Sequence, residues 1–350
     1  MRDLKPADRL VSSMSSSPTP LALVADIGGT SARFALTDLQ GVLPQLSHQR
    51  SFPCSDFANL EQAARHYLES VGRRPSHAAF AVASPSGSED IRLTNLAWTF
   101  DRRKLRQSLG LEVLDVLNDL GAVAWAVPVL GPADSVVLQG APDRPLCGPV
   151  TVIGPGTGLG IALLAGDAAR GWTVTETEGG HASFAPLGAE EMQIADWLAA
   201  RFDRVSNERL LSGPGLSHIH AALVASGAIR SAAPGPSGEL RDPAAIVDAA
   251  LAGDDVTAKR ALARFCAVLG SVAGDTALIH GARTVLIAGG IVPRFIPFLR
   301  GSAFLERFLA KGRMKSHLES TSIGVITHAA PGLLGAAMYL RSGPHRPQAQ

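Results

Sequence analysis

Leu21-Ala22-Leu23-Val24-Ala25 runs directly into Asp26-Ile27-Gly28-Gly29-Thr30, and no other stretch constrains the fold of this chain as much. The apolar run predicts a buried strand. An acid, two glycines and a hydroxyl at its end suit a tip that meets a phosphate tail. Glycines take positive φ and let consecutive N–H groups come close to anionic oxygens. Thr30 can add a hydroxyl donor, and Asp26 is a hard-oxygen ligand for hydrated Mg²⁺. The same join also fits a plain hairpin turn. Ala32–Thr37 follows as the partner strand, with Asp38-Leu39-Gln40-Gly41 as the turn after it.

The pattern recurs in the second half. Val150-Thr151-Val152-Ile153 reads as another buried strand, and Ile161–Leu164 pairs with it across Gly154-Pro155-Gly156-Thr157-Gly158-Leu159-Gly160. No Lys-Ser/Thr follows these glycines, so the loop is not a Walker A, and it opens no dinucleotide-type helix. Gly156, Thr157 and Gly158 can still wrap a phosphate with backbone donors and one hydroxyl. A glycine-rich hairpin serving only packing is the alternative.

Between and after these joins, strands alternate with helices. Helical spacing covers Leu60–Val71, Arg102–Leu109, Leu120–Val127, residues 189–204 and about Ala258–Leu278, with a last helix over about Gly332–Leu340. Strands are expected at Ala78–Ala83, Glu112–Leu117 and Thr284–Ala288. This order predicts an α/β architecture. Two strand-turn-strand units, one per half, imply two related lobes with a ligand cleft between them. Ser231–Gly238 reads as a surface loop, residues 1–19 as a disordered polar leader, and 343–350 as a frayed tail.

Three further segments carry polar chemistry. Asn118-Asp119 ends an apolar-rich strand as the chain enters a helix. Asn118 is read either as an N-cap or as a group orienting a substrate hydroxyl whose proton Asp119 accepts; both hold together at a strand C-terminus. Glu178-Gly179-Gly180-His181 sets an acid and an imidazole on one tight loop, with a lone packed loop histidine as the alternative. Asn207-Glu208-Arg209 looks like a helix start running into a glycine-proline turn, with Glu208 either a ligand contact or a first-turn acid favoured by the helix dipole. Gly289-Gly290 marks a close backbone approach, to a nucleobase or ribose, or a simple strand-to-helix turn.

Composition excludes several classes. With net charge +1 and 5% aromatic residues there is neither a basic stripe nor a stacking surface for nucleic acid. Cys54, Cys147 and Cys266 are scattered without CxxC spacing, which reads as reduced thiols in a cytoplasmic protein. No apolar stretch is expected to be long enough for a transmembrane span.

Together and in this order, these segments resemble the bacterial glucokinase family, ATP-dependent hexose kinases of the actin/hexokinase fold, a two-lobed ribonuclease H-like architecture. The likeness runs from about Leu21 to Leu340 and includes Leu93-Thr94-Asn95-Leu96-Ala97-Trp98, Ile291-Val292-Pro293-Arg294-Phe295 and Pro331-Gly332-Leu333-Leu334-Gly335. The resemblance implies that Ala25, Asp26, Ile27, Gly28, Gly29 and Thr30 form the first phosphate loop of an ATP site and Gly156-Thr157-Gly158 the second, with Gly289 and Gly290 also at the nucleotide. It implies that Asn118 and Asp119 touch glucose, Asp119 as catalytic base. Glu178, His181 and Glu208 would complete the ring around the sugar, with Asn95 close by and Mg²⁺ held by Asp26 through water. It further implies a small lobe of residues 20–127 plus 328–342, a large lobe of 128–327, and a homodimer. Ser31 stands where many relatives carry Asn, and the zinc-binding cysteine cluster of the related ROK sugar kinases is missing. A sugar-responsive transcriptional regulator, the rival from another class, would need a helix-turn-helix for which the short polar leader offers no material.

Overall fold

The computed structural model describes residues 21–41, 43–84, 89–93, 96–140, 145–227 and 240–342. The expected leader, the tail after 342, the 231–238 loop and Asn95 lie outside the described residues. The chain opens with β1 (Leu21–Ile27), β2 (Ser31–Asp38) and β3 (Leu46–Pro53), then α1 (Leu60–Val71) and β4 (His77–Val82). A short ribbon of β5 (Asp90–Arg92) and β6 (Thr99–Asp101) leads into α2 (Arg102–Ser108), β7 (Val113–Asn118) and α3 (Asp119–Ala126). Next come β8 (Ser135–Gln139), β9 (Val150–Pro155), β10 (Leu159–Asp167) and β11 (Gly171–Thr177). Four helices follow: α4 (Gly188–Phe202), α5 (Gly213–Ala225), α6 (Pro243–Ala252) and α7 (Val256–His280). The chain closes with β12 (Thr284–Ile287), α8 (Ile296–Arg300), α9 (Phe304–Leu309), α10 (Lys315–Glu319), β13 (Ser322–Ile326) and α11 (Pro331–Ser342).

Two sheets carry the fold, and they share one plan. The first runs β3-β2-β1-β4-β7 and the second β11-β10-β9-β12-β13-β8. In each, a meander of three antiparallel strands passes its first member, β1 or β9, to two parallel neighbours. The two glycine-rich tips are therefore equivalent points of one repeated design. Parallel pairing with helices on both faces explains why β1 and β9 read as unbroken apolar runs.

Helix α1 begins where Asn59 accepts the Gln62 N–H at 2.9 Å and stops at Gly72, whose φ of +61° only glycine takes easily. It buries Leu60, Ala63, Ala64 and Tyr67 against Phe34 and Phe80 on one face of the first sheet. The opposite face packs on α11 through Leu333, Ala336, Ala337 and Leu340. Helix α3 is shared between the sheets. Ala122 joins the α11 layer, while Leu120 and Ala124, with Val127 just beyond the helix, pack on Val150, Val152, Ala162 and Leu164 of the second sheet.

Helix α7 corrects one expectation. Its 25 residues are long and apolar enough to cross a membrane by length and composition. Most of that surface, including Leu262, Phe265, Val268 and Leu269, is buried in the core of the second half, between α5, α6 and α9. It is the core helix of this half, and Gly270 and Gly274 let α9 lie close against it, since a Cβ there would fall 2.1 Å from the Phe304 and 2.5 Å from the Phe308 carbonyl oxygen.

Candidate active site

Strand register places the first elements of the site. Ile27, Val82 and Asn118 lie side by side where β1, β4 and β7 end, the edge at which parallel sheets bind ligands. The first glycine tip closes on itself: the Gly28 N–H donates to the Ser31 carbonyl at 3.0 Å, and the Cys54 N–H donates to that of Thr30 at 2.9 Å. Gly28 thus holds the turn while the Thr30 side chain stays exposed. Ala25 and Ile27 are buried in the sheet, so only their backbone can reach a ligand.

Asp26 faces the start of α11. A Cβ on Gly332 would stand 2.9 Å from the Asp26 Cγ, so a glycine there leaves the carboxylate its space. Arg33 lies 4.0 Å away. Burial pushes the Asp26 carboxyl above its usual range, and the Arg33 charge opposes this.

Asn118 does cap α3. Its Oδ1 accepts the Leu120 and Gly121 N–H groups at 3.0 and 3.1 Å, which satisfies donors that a helix start otherwise leaves open. The amide Nδ2 remains, 3.4 Å from the Ser84 carbonyl. Asp119 is the first residue of the helix, and its Oδ1 accepts the Leu120 N–H at 2.7 Å. Its carboxylate is open at the surface yet walled by protein on most sides. That desolvation raises its pKa from 3.8 to about 6; the Leu120 N–H lowers it, and the Asp26 and Glu176 charges raise it again. Asp26 and Asp119, from different strand ends, are therefore close enough to sense each other's charge.

Leu120 sets the second glycine tip against this helix. It lies over bare backbone, where a Cβ on Gly154 or Gly160 would come within 2.5 or 2.8 Å of it. The Gly156 N–H donates to the Gly158 carbonyl at 2.8 Å, so this tip too is closed by its first glycine, with Thr157 exposed. Gly289, at φ +91°, packs on the same loop, a Cβ there falling 2.2 Å from the Pro155 carbonyl oxygen. Gly290 beside it faces open space.

Glu178, His181 and Glu208 come together. The His181 Nε2 lies 3.8 Å from Glu178 and its Nδ1 3.9 Å from Glu208. Glu208 also ties this cluster to the second tip, since its Oε2 accepts the Leu159 N–H at 2.9 Å. The helix-dipole alternative for Glu208 falls away. Asn207–Arg209 is a single 3-10 turn, and the helix starts only at Gly213, with Ser212 accepting the Gly215 N–H at 3.0 Å and Pro214 inside the first turn. A proline there is compatible with the missing donor.

Sequence reasoning missed Glu176. Its Oε1 accepts the backbone N–H of Asn118 at 2.9 Å, from a strand of the other sheet. The signal was there: Glu176 shares a strand face with Trp172 and Val174, which pack on the core, and an acid at an inward position calls for a partner.

The geometry is thus two glycine tips, a carboxylate at a helix start and an acid-imidazole cluster. Comparison with known proteins gives the chain's family and fold. A family model described as Glucokinase matches residues 23–343. A curated relative named Glucokinase, from Psychromonas ingrahamii, is 41% identical over 322 residues, covering 92% of this chain and 97% of its own. The crystal structure of a glucokinase from an Antarctic psychrotroph superposes with a TM-score of 0.79 at 35% identity, covering 93% of this chain and 99% of that one. A glucokinase from Balamuthia mandrillaris, solved in complex with glucose, shares the fold at a TM-score of 0.75 and 21% identity, over 95% and 96% of the two chains.

Proposed function

This chain belongs to the glucokinase family, and from that premise we propose the roles of its residues in moving the γ-phosphoryl group of ATP to the 6-hydroxyl of D-glucose. The enzyme is an ATP-dependent sugar kinase. Phosphoryl transfer needs positioning, charge stabilisation and one base at the attacking oxygen. Asp119 is that base. The 6-hydroxyl oxygen bonds to the γ-phosphorus, its proton passes to an Asp119 carboxylate oxygen, and ADP leaves with the electrons of the broken P–O bond. The observation that carries this role is the Asp119 carboxylate itself, fixed on a capped helix start at the strand edge and made more basic by its surroundings.

The remaining residues bind and orient. Glu178, His181, Glu208 and the Nδ2 of Asn118 offer the mix of donors and acceptors that sugar hydroxyls require, with Asn95 as a further sugar contact. The tips at Gly29-Thr30 and Thr157-Gly158 present N–H groups and hydroxyls to the phosphates, and Gly289-Gly290 gives the nucleoside a close approach. Asp26 fits an ion held through its water shell: among the described residues no group of three or more metal-ligating side chains converges, while this single half-buried carboxylate keeps its space beside Gly332. Magnesium held there would supply charge neutralisation for the phosphates.

The direct test incubates the purified chain with Mg·ATP and glucose and detects glucose 6-phosphate. Formation is expected. No product from glucose, with another hexose turned over instead, would move the substrate assignment.

The raised pKa of Asp119 sets a pH dependence. A base must be ionised, so kcat/KM should rise with pH through an apparent pKa of about 6 and fall away below it. The stability sign is opposite: a carboxyl raised above its unfolded value favours the fold at low pH, and that contribution fades as pH rises through about 6. An acid limb centred near 4 would reject the link between this carboxyl and the limb.

A further inference from the structure

We propose that Glu176 is a positioning residue for the catalytic base, completing from another strand the capping box that helix α3 lacks in its own sequence. It rests on the role of Asp119 given above. In an ordinary capping box the N-cap side chain binds the N–H three residues on, and an acid at that third position reaches back to the N-cap N–H. Here Asn118 makes the first half, accepting the Gly121 N–H at 3.1 Å. The third position, however, is Gly121, with no side chain to return the bond.

Glu176 supplies it. Its Oε1 accepts the Asn118 N–H at 2.9 Å. It also occupies the volume a side chain at 121 would claim: a Cβ built there would stand 2.3 Å from Oε1, 2.6 Å from Cγ and 2.8 Å from Cδ of Glu176. The acid and the glycine are thus one device split over two elements: the carboxylate fits because residue 121 carries no side chain.

The consequence lies in what the two ends hold. Asp119 follows Asn118 directly as the first residue of α3, so fixing the Asn118 peptide fixes where the Asp119 carboxylate points. Glu176 sits on β11, two residues before Glu178 of the acid-imidazole cluster. The bond therefore sets the base against the residues that receive the sugar, across the join between the two sheets. Glu176 acts on Asp119 through the Asn118 peptide. Its second oxygen is buried without a hydrogen-bond partner among the described residues, so the carboxylate is held for this single bond at a cost in desolvation.

Three variants and two readouts test the assignment. E176A should lower kcat by about 10- to 100-fold, with the KM values for glucose and ATP within about threefold, because misplacing a base costs turnover more than binding. E176Q keeps an acceptor oxygen and should stay within about threefold of the parent enzyme. E176A/G121E restores the box within one helix and should recover most of the loss. Hydrogen exchange over residues 118–121 should quicken in E176A and return toward the parent rate in the other two. An E176A enzyme within about twofold of the parent, or a folded E176Q as slow as E176A, overturns the proposal. If E176A does not fold, E176Q and the double variant decide it: both folded and active supports it, and either folded but slowed by about tenfold or more overturns it. Exchange is read without turnover, so unchanged exchange in E176A sinks this inference, whereas a parent protein inactive on glucose sinks the functional reading alone.

Discussion

Asp119→Asn is expected to lower kcat by about 10²–10⁴ while leaving glucose affinity nearly unchanged. Asparagine matches aspartate in shape and keeps an oxygen for the Leu120 N–H, the bond that Asp119 makes at 2.7 Å. The Asn118 cap, which bears on two other N–H groups, is untouched. The substitution therefore removes proton acceptance and little else. It also abolishes the acid limb near pH 6, since the group responsible no longer titrates. Initial rates with Mg·ATP across pH, with glucose binding measured calorimetrically, check both points. Ordinary turnover in this variant would end the general-base assignment.

Glu191→Ala is expected to cost about 3–5 kcal/mol of folding stability, the usual penalty for removing one partner of a buried ionic network. Glu191 is fully buried on α4. Its Oε1 lies 2.7 Å from Arg307 of α9 and 2.8 Å from Arg264 of α7, and its Oε2 accepts the Leu187 N–H at 2.7 Å. Glu190 beside it pairs with Arg260 and Arg264. Truncation would leave Arg307, itself mostly buried, short of its counterion, with Ser271 at 2.9 Å its remaining side-chain partner among the described residues. Burial pushes the Glu191 carboxyl up, but Arg307, the Leu187 N–H and Arg264 outweigh it and hold the pKa below the usual value. The network's contribution is therefore present above about pH 4.5 and is lost as pH falls through the lowered native value. Urea unfolding of parent and variant at pH 7 measures the difference; a loss under about 1 kcal/mol would show that the helices hold together without it.

How much of the molecule could be read from residue order depends on the range of the forces involved. Leu60–Val71 comes out as a helix with the very bounds expected, because its cap at Asn59 and its stop at Gly72 are local signals. The buried strands β1, β4, β7, β9 and β12 were legible as apolar runs, their ends within a residue or two. β3 was not: its segment Leu46–Pro53 is largely polar and exposed, an edge strand held by pairing to β2 and not by burial of its own side chains. β11 escaped for a related reason: its outward face is threonine and glycine, and Glu176 ends its inward face of Trp172 and Val174 with an acid.

The site divides along the same line. Glycine tips, the Asn118 cap and the acids of the Glu178-His181 turn are conformations of a few successive residues, and the chain's order suffices to find them. The pairing of Glu176 with Asn118 spans 58 residues and follows from β11 aligning on β10, which no local pattern announces.

By itself, the order of residues determined that two apolar strands end in glycine turns, that a carboxylate follows a helix cap, and that the polar groups of a sugar and phosphate site exist. Only the tertiary structure decided how basic Asp119 is and what holds it in place. Hydrogen-bonded turns depend on neighbours in the chain, whereas desolvation and Coulomb interactions depend on what is near in space, and for Asp119 those neighbours are Asp26 and Glu176, from two different sheets.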